Sequence, residues 1–323
     1  MEILKTVKRI PGGLMVIPLL LGALINTIFP QALGIGGFTT NLFKTGAMPI
    51  LAAFLFCNGA QINVKQAGEP LIKGVALTLS KFLIGAALGI LVNTIFGPAG
   101  VLGIAPLAII AAVTNSNGGL YAALAGEYGE STDVGAISIL SLNDGPFFTM
   151  IAFGVTGIAT VPVIALVATI VPILIGFILG NLDENLRKFL EPGTVLLIPF
   201  FAFPLGAALN FGQIVEAGLP GILLGVLCTG LTGLGGYLTM KLLKAKKPQI
   251  GAAIGTTAGN AVATPAALAA VDPSLAAVAG SATVQIAAAI IVTAILCPLL
   301  VNYIDKKEKA KSNRAVSDSI EAV

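Results

Sequence analysis

The chain has no histidine, three cysteines, three arginines and only 10% charged residues among 323. Cys57, Cys228 and Cys297 lie in separate apolar stretches. Without histidine or a close cysteine pair, neither a zinc site nor a redox pair is expected, and the thiols read as small buried hydrophobes. No metal and no resident cofactor is expected. A net charge of +3 is too small to hold nucleic acid. There is no phosphate-cradling GxxxxGK[ST] loop, which argues against an ATP-driven pump. An enzyme buried in a membrane would need a nucleophile with its base, or metal ligands. The apolar stretches hold neither.

What is present in abundance is hydrophobicity. Hydrophobic residues make up 56% of the chain, mean hydropathy is +0.97, and apolar runs recur from Pro11 to Asn302. Each has the length of about 20 residues that crosses a hydrocarbon core. The expectation is an all-α polytopic membrane protein with ten transmembrane helices. They fall at 11–29, 41–60, 70–96, 102–126, 133–156, 161–180, 193–212, 217–242, 249–271 and 275–303. Basic Lys5, Lys8 and Arg9 before the first run imitate a signal peptide. Pro11-Gly12-Gly13 instead opens a full-length span.

The basic residues test that count. With a cytoplasmic N-terminus, one side of the membrane holds Lys5, Lys8 and Arg9, Lys65 and Lys73, and Arg187 and Lys188. It also holds Lys241, Lys244, Lys246 and Lys247, then Lys306, Lys307, Lys309, Lys311 and Arg314. Only Lys44 and Lys81 remain, both inside spans. This asymmetry predicts an even number of spans with both termini cytoplasmic. Ten spans divide into two sets of five, residues 1–159 and 160–305, and an odd number per set inverts the second copy. Helices 3–5 and 8–10 would form a core, and helices 1, 2, 6 and 7 a panel. Residues 306–323 read as a mobile cytoplasmic tail.

Helices 4 and 9 are interrupted at corresponding places. Thr114-Asn115-Ser116-Asn117-Gly118-Gly119 breaks the first, and Thr257-Ala258-Gly259-Asn260 repeats its Thr-x-x-Asn pattern 143 residues on (257 − 114). Leu120-Tyr121-Ala122-Ala123-Leu124-Ala125 is echoed by Thr264-Pro265-Ala266-Ala267-Leu268-Ala269 at 144 (264 − 120). A broken backbone within a membrane persists only where protein or a water-filled cavity covers it. Asn and Thr side chains can cap the loose ends, and Thr264 reads as an N-cap with Pro265 at the first helical position. Each half-helix start offers free N–H groups and about half a positive charge, which suits a carboxylate. The bland alternative is a pair of packing kinks. The only arginines, Arg9, Arg187 and Arg314, sit outside the spans, so no guanidinium fork grips an anion at the midplane. The candidate substrate-binding residues are therefore Thr114, Asn115, Ser116, Asn117, Gly118, Thr257, Gly259, Asn260 and Thr264, a set that also suits sugar-like hydroxyls.

Charges inside the membrane complete the reading. Asn143-Asp144 lies midway along helix 5, where a carboxylate is costly and marks a functional site. Desolvation would raise its pKa and make it a plausible proton carrier. Lys81 on helix 3 stands at the same depth, 11 residues from its helix start as Asp144 is from its own, and is the candidate partner. Lys44 snorkels to an interface. Gln285, with Ser281 and Thr283 on helix 10, offers neutral oxygens for an ion, although such groups also serve as interhelical glue.

At these residues the chain closely resembles the 2-keto-3-deoxygluconate permease family. The resemblance runs through Arg9-Ile10-Pro11-Gly12-Gly13, Asn115-Ser116-Asn117-Gly118-Gly119-Leu120-Tyr121, Ser141-Leu142-Asn143-Asp144-Gly145-Pro146 and Gly255-Thr256-Thr257-Ala258-Gly259-Asn260-Ala261-Val262-Ala263-Thr264-Pro265. It implies uptake of 2-keto-3-deoxygluconate across the bacterial inner membrane by proton symport, with the lipid bilayer and a coupling proton as the other partners. It also implies a distant relation to bile-acid-type sodium symporters and sodium/proton antiporters, in which an Asn-Asp or Asp-Asp pair on helix 5 handles the ion. The chain lacks the helix 10 lysine of many such antiporters, which argues against antiport. A sodium-coupled organic anion carrier of the same fold is the alternative expectation.

Overall fold

The computed structural model of the chain describes residues 2–9, 13–63, 68–140, 146–209 and 211–321. Those residues are helical almost throughout, with no strand among them beyond the isolated bridge of Val101 and Ile104. Five helices are long and apolar enough to cross a membrane, or up to seven if each sharply bent pair forms one span. Shorter apolar helices, Ile17–Ile28 and Pro146–Thr156, accompany them.

Several expected spans are not single rods. Helix 2 is a pair, Gly37–Phe43 and Ala47–Gln61, bent by 61°. Lys44, Thr45 and Gly46 form the bend; a side chain at Gly46 would crowd the Asn41 and Leu42 carbonyls. Lys44 is exposed there. Helix 5 begins as two short helices, Ser131–Gly135 and Ile137–Leu140, and its described residues resume with Pro146–Thr156. The last helix runs unbroken from Ala276 to Glu321, through the segment read as a tail. The tail is rich in Lys, Glu and Ala, which favour helix, and Lys309 pairs with Asp305 at 2.7 Å one turn back.

Packing sorts the helices into two groups. Gly13–Ile28 packs on Ile198–Gly206, and Ala47–Gln61 on Val163–Leu182. Small residues allow both contacts: a Cβ on Gly206 would overlap the Leu19 carbonyl, and one on Gly59 the Ile173 carbonyl. Backbone contact of this kind is how helices associate in lipid, where burial of apolar groups gives no drive. The second group comprises Glu69–Phe96, Phe211–Leu242 and Ala276–Glu321 around the two interrupted elements.

Candidate functional site

The first interrupted element is Pro106–Thr114 and Gly118–Tyr128, with a bend of 42°. Thr114 and Asn115 satisfy the carbonyl end of the first half from within. The Thr114 hydroxyl donates to Ile110 O at 2.7 Å and Asn115 Nδ2 to Ala111 O at 3.0 Å. Thr149, from Pro146–Thr156, meets both, lying 2.9 Å from Thr114 Oγ1 and 3.1 Å from Asn115 Nδ2. Asn117 caps the second half by accepting from Leu120 N at 2.9 Å, and Gly118 opens that helix. Such a cap contributes about 1 kcal/mol.

The second element is built differently. Pro248–Ile254 and Gly259–Ala263 are tight 3-10 turns, and Thr264–Val271 is the α-helical half. Here the N-cap reading of Thr264 needs correction. The turn opened by Gly259 and Asn260 runs directly into the helix, so Ala263 is already in helical conformation and Thr264 is itself the first helical residue. Its hydroxyl caps nothing and has no partner.

The two breaks touch. Asn117 N donates to Thr256 Oγ1 at 2.9 Å, joining residues 139 positions apart. Thr257 N donates to Thr293 Oγ1 on the last helix at 3.0 Å, and the Thr257 hydroxyl to Cys228 Sγ at 3.5 Å.

Beside this junction lies Lys81, fully buried 12 residues into the Glu69–Phe96 helix. That depth is roughly 18 Å at about 1.5 Å per residue. Its ammonium donates to Ile254 O at 2.6 Å, Thr256 O at 2.7 Å and Thr232 Oγ1 at 3.2 Å, with Cys228 Sγ at 3.9 Å. Lys81 thus holds the carbonyl end of the first half of the second element. Among the described residues no carboxylate lies within ion-pair distance of it. Asn143 and Asp144, the other ion-coupling candidates, lie outside the described residues. Gln285 does not reach the junction: its amide donates to Gly103 O at 2.8 Å and Ser281 Oγ at 3.0 Å, bracing the loop before Pro106.

The junction also carries polar atoms with nothing to bond. Asn115 Oδ1, Ser116 Oγ, both amide atoms of Asn260 and Thr264 Oγ1 are buried and unpartnered, as is Thr229 Oγ1 nearby in the chain fold. Each such group costs roughly 1–3 kcal/mol if left dry and empty. Apart from Thr229 Oγ1, these atoms lie on the two breaks that meet where Asn117 N donates to Thr256 Oγ1. No group of three metal-ligating side chains occurs among the described residues.

The family described as 2-keto-3-deoxygluconate permease matches residues 4–310. The chain belongs to that family. It is 55% identical over 315 residues to the 2-keto-3-deoxygluconate permease 1 of Salmonella typhimurium, covering 97% of this chain and 98% of that one. Against the 2-keto-3-deoxygluconate permease of Bacillus subtilis it is 44% identical over 320 residues, covering 97% of each. Against that of Escherichia coli O7:K1 it is 39% identical over 317 residues, again 97% of each. Membership in this permease family makes the chain an integral membrane transporter and not an enzyme.

The structure of this permease also brings in residues that the sequence alone did not single out: Thr149, Cys228, Thr232, Thr256 and Thr293. Apart from Thr256, which adjoins Thr257 in the second break, each is a hydroxyl or thiol set in an apolar run, a weak signal taken one at a time. A second unexpected feature lies at the end of the bundle where Lys73 had been counted as a surface charge. Lys73 is buried, donating to Asp133 Oδ1 at 2.6 Å and Thr132 Oγ1 at 2.9 Å and pairing with Glu69 at 2.7 Å. Asp133 is itself buried, accepts from Glu130 N at 2.8 Å, and its carbonyl accepts from the Tyr121 hydroxyl at 3.1 Å. This knot ties the start of the Glu69–Phe96 helix to the second half, Gly118–Tyr128, of the first interrupted element.

Proposed function

We propose that the chain imports 2-keto-3-deoxygluconate across the bacterial inner membrane by proton symport. The substrate is a hydroxylated monocarboxylate that binds where the two interrupted elements meet. The observation that carries this reading is the set of buried, unpartnered oxygens and amide groups on Asn115, Ser116, Asn260 and Thr264. Sugar hydroxyls would supply their missing partners. The carboxylate would rest at the start of the continuous 259–271 run, at Gly259 and Asn260, which no side chain caps. The relatives' names supply the identity of the substrate.

Alternating access follows from how the site is framed. The 259–263 turn, with Asn260, packs against Ile198–Gly206, so the site lies between the core and panel groups of helices. Movement of one group against the other would open it to either side of the membrane. An inverted repeat of five and five spans is supported by the close contacts. Gly74 packs on Ile139 as Gly221 packs on Gln285 and Ala288, and Gly89 packs on Ile110 as Gly236 packs on Gly251 and Ile254. Both glycine pairs are 147 residues apart (221 − 74 and 236 − 89), as are Lys81 and Cys228 (228 − 81). Panel pairings obey the same exchange, helix 1 with 7 mirroring helix 6 with 2.

Asp144 is the proposed proton carrier. It lies five residues before Thr149, which contacts Thr114 and Asn115. Both termini would lie in the cytoplasm, a reading the asymmetry of the basic residues supports. The test is counterflow of 2-keto-3-deoxygluconate in proteoliposomes with sodium and pH varied independently. Uptake should follow the proton gradient and ignore sodium; sodium dependence at fixed pH would replace the proton assignment with the sodium-coupled one.

A further inference from the structure

We infer that the Lys81 ammonium is a tethered cation that serves the second interrupted element in place of a free monovalent metal ion. Among the described residues its nearest partners are neutral oxygens, with the Cys228 thiol at 3.9 Å. Ile254 O and Thr256 O approach to 2.6 and 2.7 Å, and Thr232 Oγ1 to 3.2 Å. The Thr232 hydroxyl hydrogen is already given to Cys228 O at 2.7 Å, so its oxygen faces Lys81 as an acceptor. Three acceptors therefore converge on the three N–H groups of an ammonium, one more than a neutral amine could supply. Carbonyl oxygens at the end of an unwound half-helix are also what holds a monovalent cation in membrane transporters.

The sequence explains why this element needs a cation and its counterpart does not. In the first element Thr114 and Asn115 donate to their own carbonyls at Ile110 and Ala111. In the second, Ala252-Ala253-Ile254-Gly255 carries no donor side chain, and Thr257, which repeats Thr114, gives its hydroxyl to Cys228 Sγ at 3.5 Å. The carbonyls of that stretch are served from outside, by Lys81 at Ile254 and by Cys297 Sγ at Ala252 and Ala253, 3.4 and 3.6 Å away. The residue corresponding to Lys81 in the other half is Cys228, whose thiol meets Ala112 O at 3.7 Å. One half of the repeat thus carries a charge where the other carries a neutral donor. The inference requires no substrate, so it stands or falls apart from the transport reading.

The test is thermal melting of the purified full chain, without substrate, in choline, lithium, sodium and potassium chloride at equal ionic strength. The readout is the metal-dependent shift that a variant shows beyond wild type. Lys81→Ala leaves both space and oxygen ligands, and should melt several degrees lower in choline and recover, saturably, with sodium or potassium. Lys81→Met fills the same volume without charge, and should stay low in every salt. If Lys81→Ala cannot be recovered folded in choline, extraction in sodium or potassium should restore its yield. A Lys81→Ala protein as stable as wild type in choline, or one that no metal ion restores in melting or in yield, overturns the inference.

Discussion

The two interrupted elements perform one task with different chemistry. The first closes its carbonyl end with its own Thr114 and Asn115, and caps its second half with its own Asn117. The second has neither device. It borrows Lys81 for the carbonyls of its first half, and the helix starting at Thr264 is left uncapped. One break is stabilised by local side chains and the other by its neighbours. The consequence is a division of labour. Polar side chains of the first are largely spent on structure, whereas the Asn260 amide and Thr264 hydroxyl of the second have no partner.

That contrast can be broken at several points. Lys81→Met should have the largest effect, because it strips donors from Ile254 and Thr256 at once. With roughly 1–3 kcal/mol for each orphaned group, transport should fall by more than about tenfold and melting should drop; Cys228→Ala, which removes only weak thiol contacts, should change both far less. Next come the paired asparagines. Asn260→Ala should weaken binding of 2-keto-3-deoxygluconate by about 10- to 100-fold while leaving the melting temperature nearly unchanged, since its amide has no partner to lose. Asn117→Ala should do the reverse in proportion, costing about 1 kcal/mol of stability through the lost cap. Thr256→Val separates the breaks by removing the acceptor for Asn117 N. It should cost roughly 1 kcal/mol, read as a lower melting temperature.

The smallest effect concerns Asp272, which follows the Thr264–Val271 helix and holds Thr160. Asp272 accepts from Ser274 Oγ at 2.6 Å, Ser274 N at 3.1 Å and Thr160 N at 2.8 Å. The Ser274 hydroxyl first, and then the Thr160 N–H, hold its carboxyl below the usual carboxylate range. A lowered folded-state pKa gives stability that is complete above the unfolded value and is lost as pH falls through the folded one. Asp272→Asn should therefore lower neutral-pH melting slightly and flatten the loss of stability on acidification below about pH 4.

Much of this was legible in the sequence. Thr114 through Asn117 and Thr257 through Asn260 break their helices because polar and glycine residues interrupt otherwise apolar runs, a one-dimensional signal. The all-helical membrane class followed from hydropathy in the same way. What the sequence did not reveal depends on depth and facing. Lys73 resembles any basic residue near a span end, and only its packing on Asp133 buries it. Thr293 is one hydroxyl in an apolar helix until Thr257 N arrives at 3.0 Å. Thr264 and Pro265 have the composition of an N-cap and first turn, but the 3-10 turn before them fixes the helix start one residue earlier than that pattern implies. The helical tail escaped notice because an apolar stripe was sought, whereas charge pairs one turn apart maintain it.

The central claim is that the unpartnered groups at the two facing breaks receive the substrate. Calorimetric titration of 2-keto-3-deoxygluconate into purified wild type, Asn260→Ala and Ser116→Ala tests it most directly, with melting measured on the same samples. Both variants should keep their melting temperatures within about 2 °C, as expected where no native bond is lost, and at least one should bind tenfold or more weakly. Unchanged affinity in both, with folding intact, would contradict the account and move the substrate site elsewhere in the molecule.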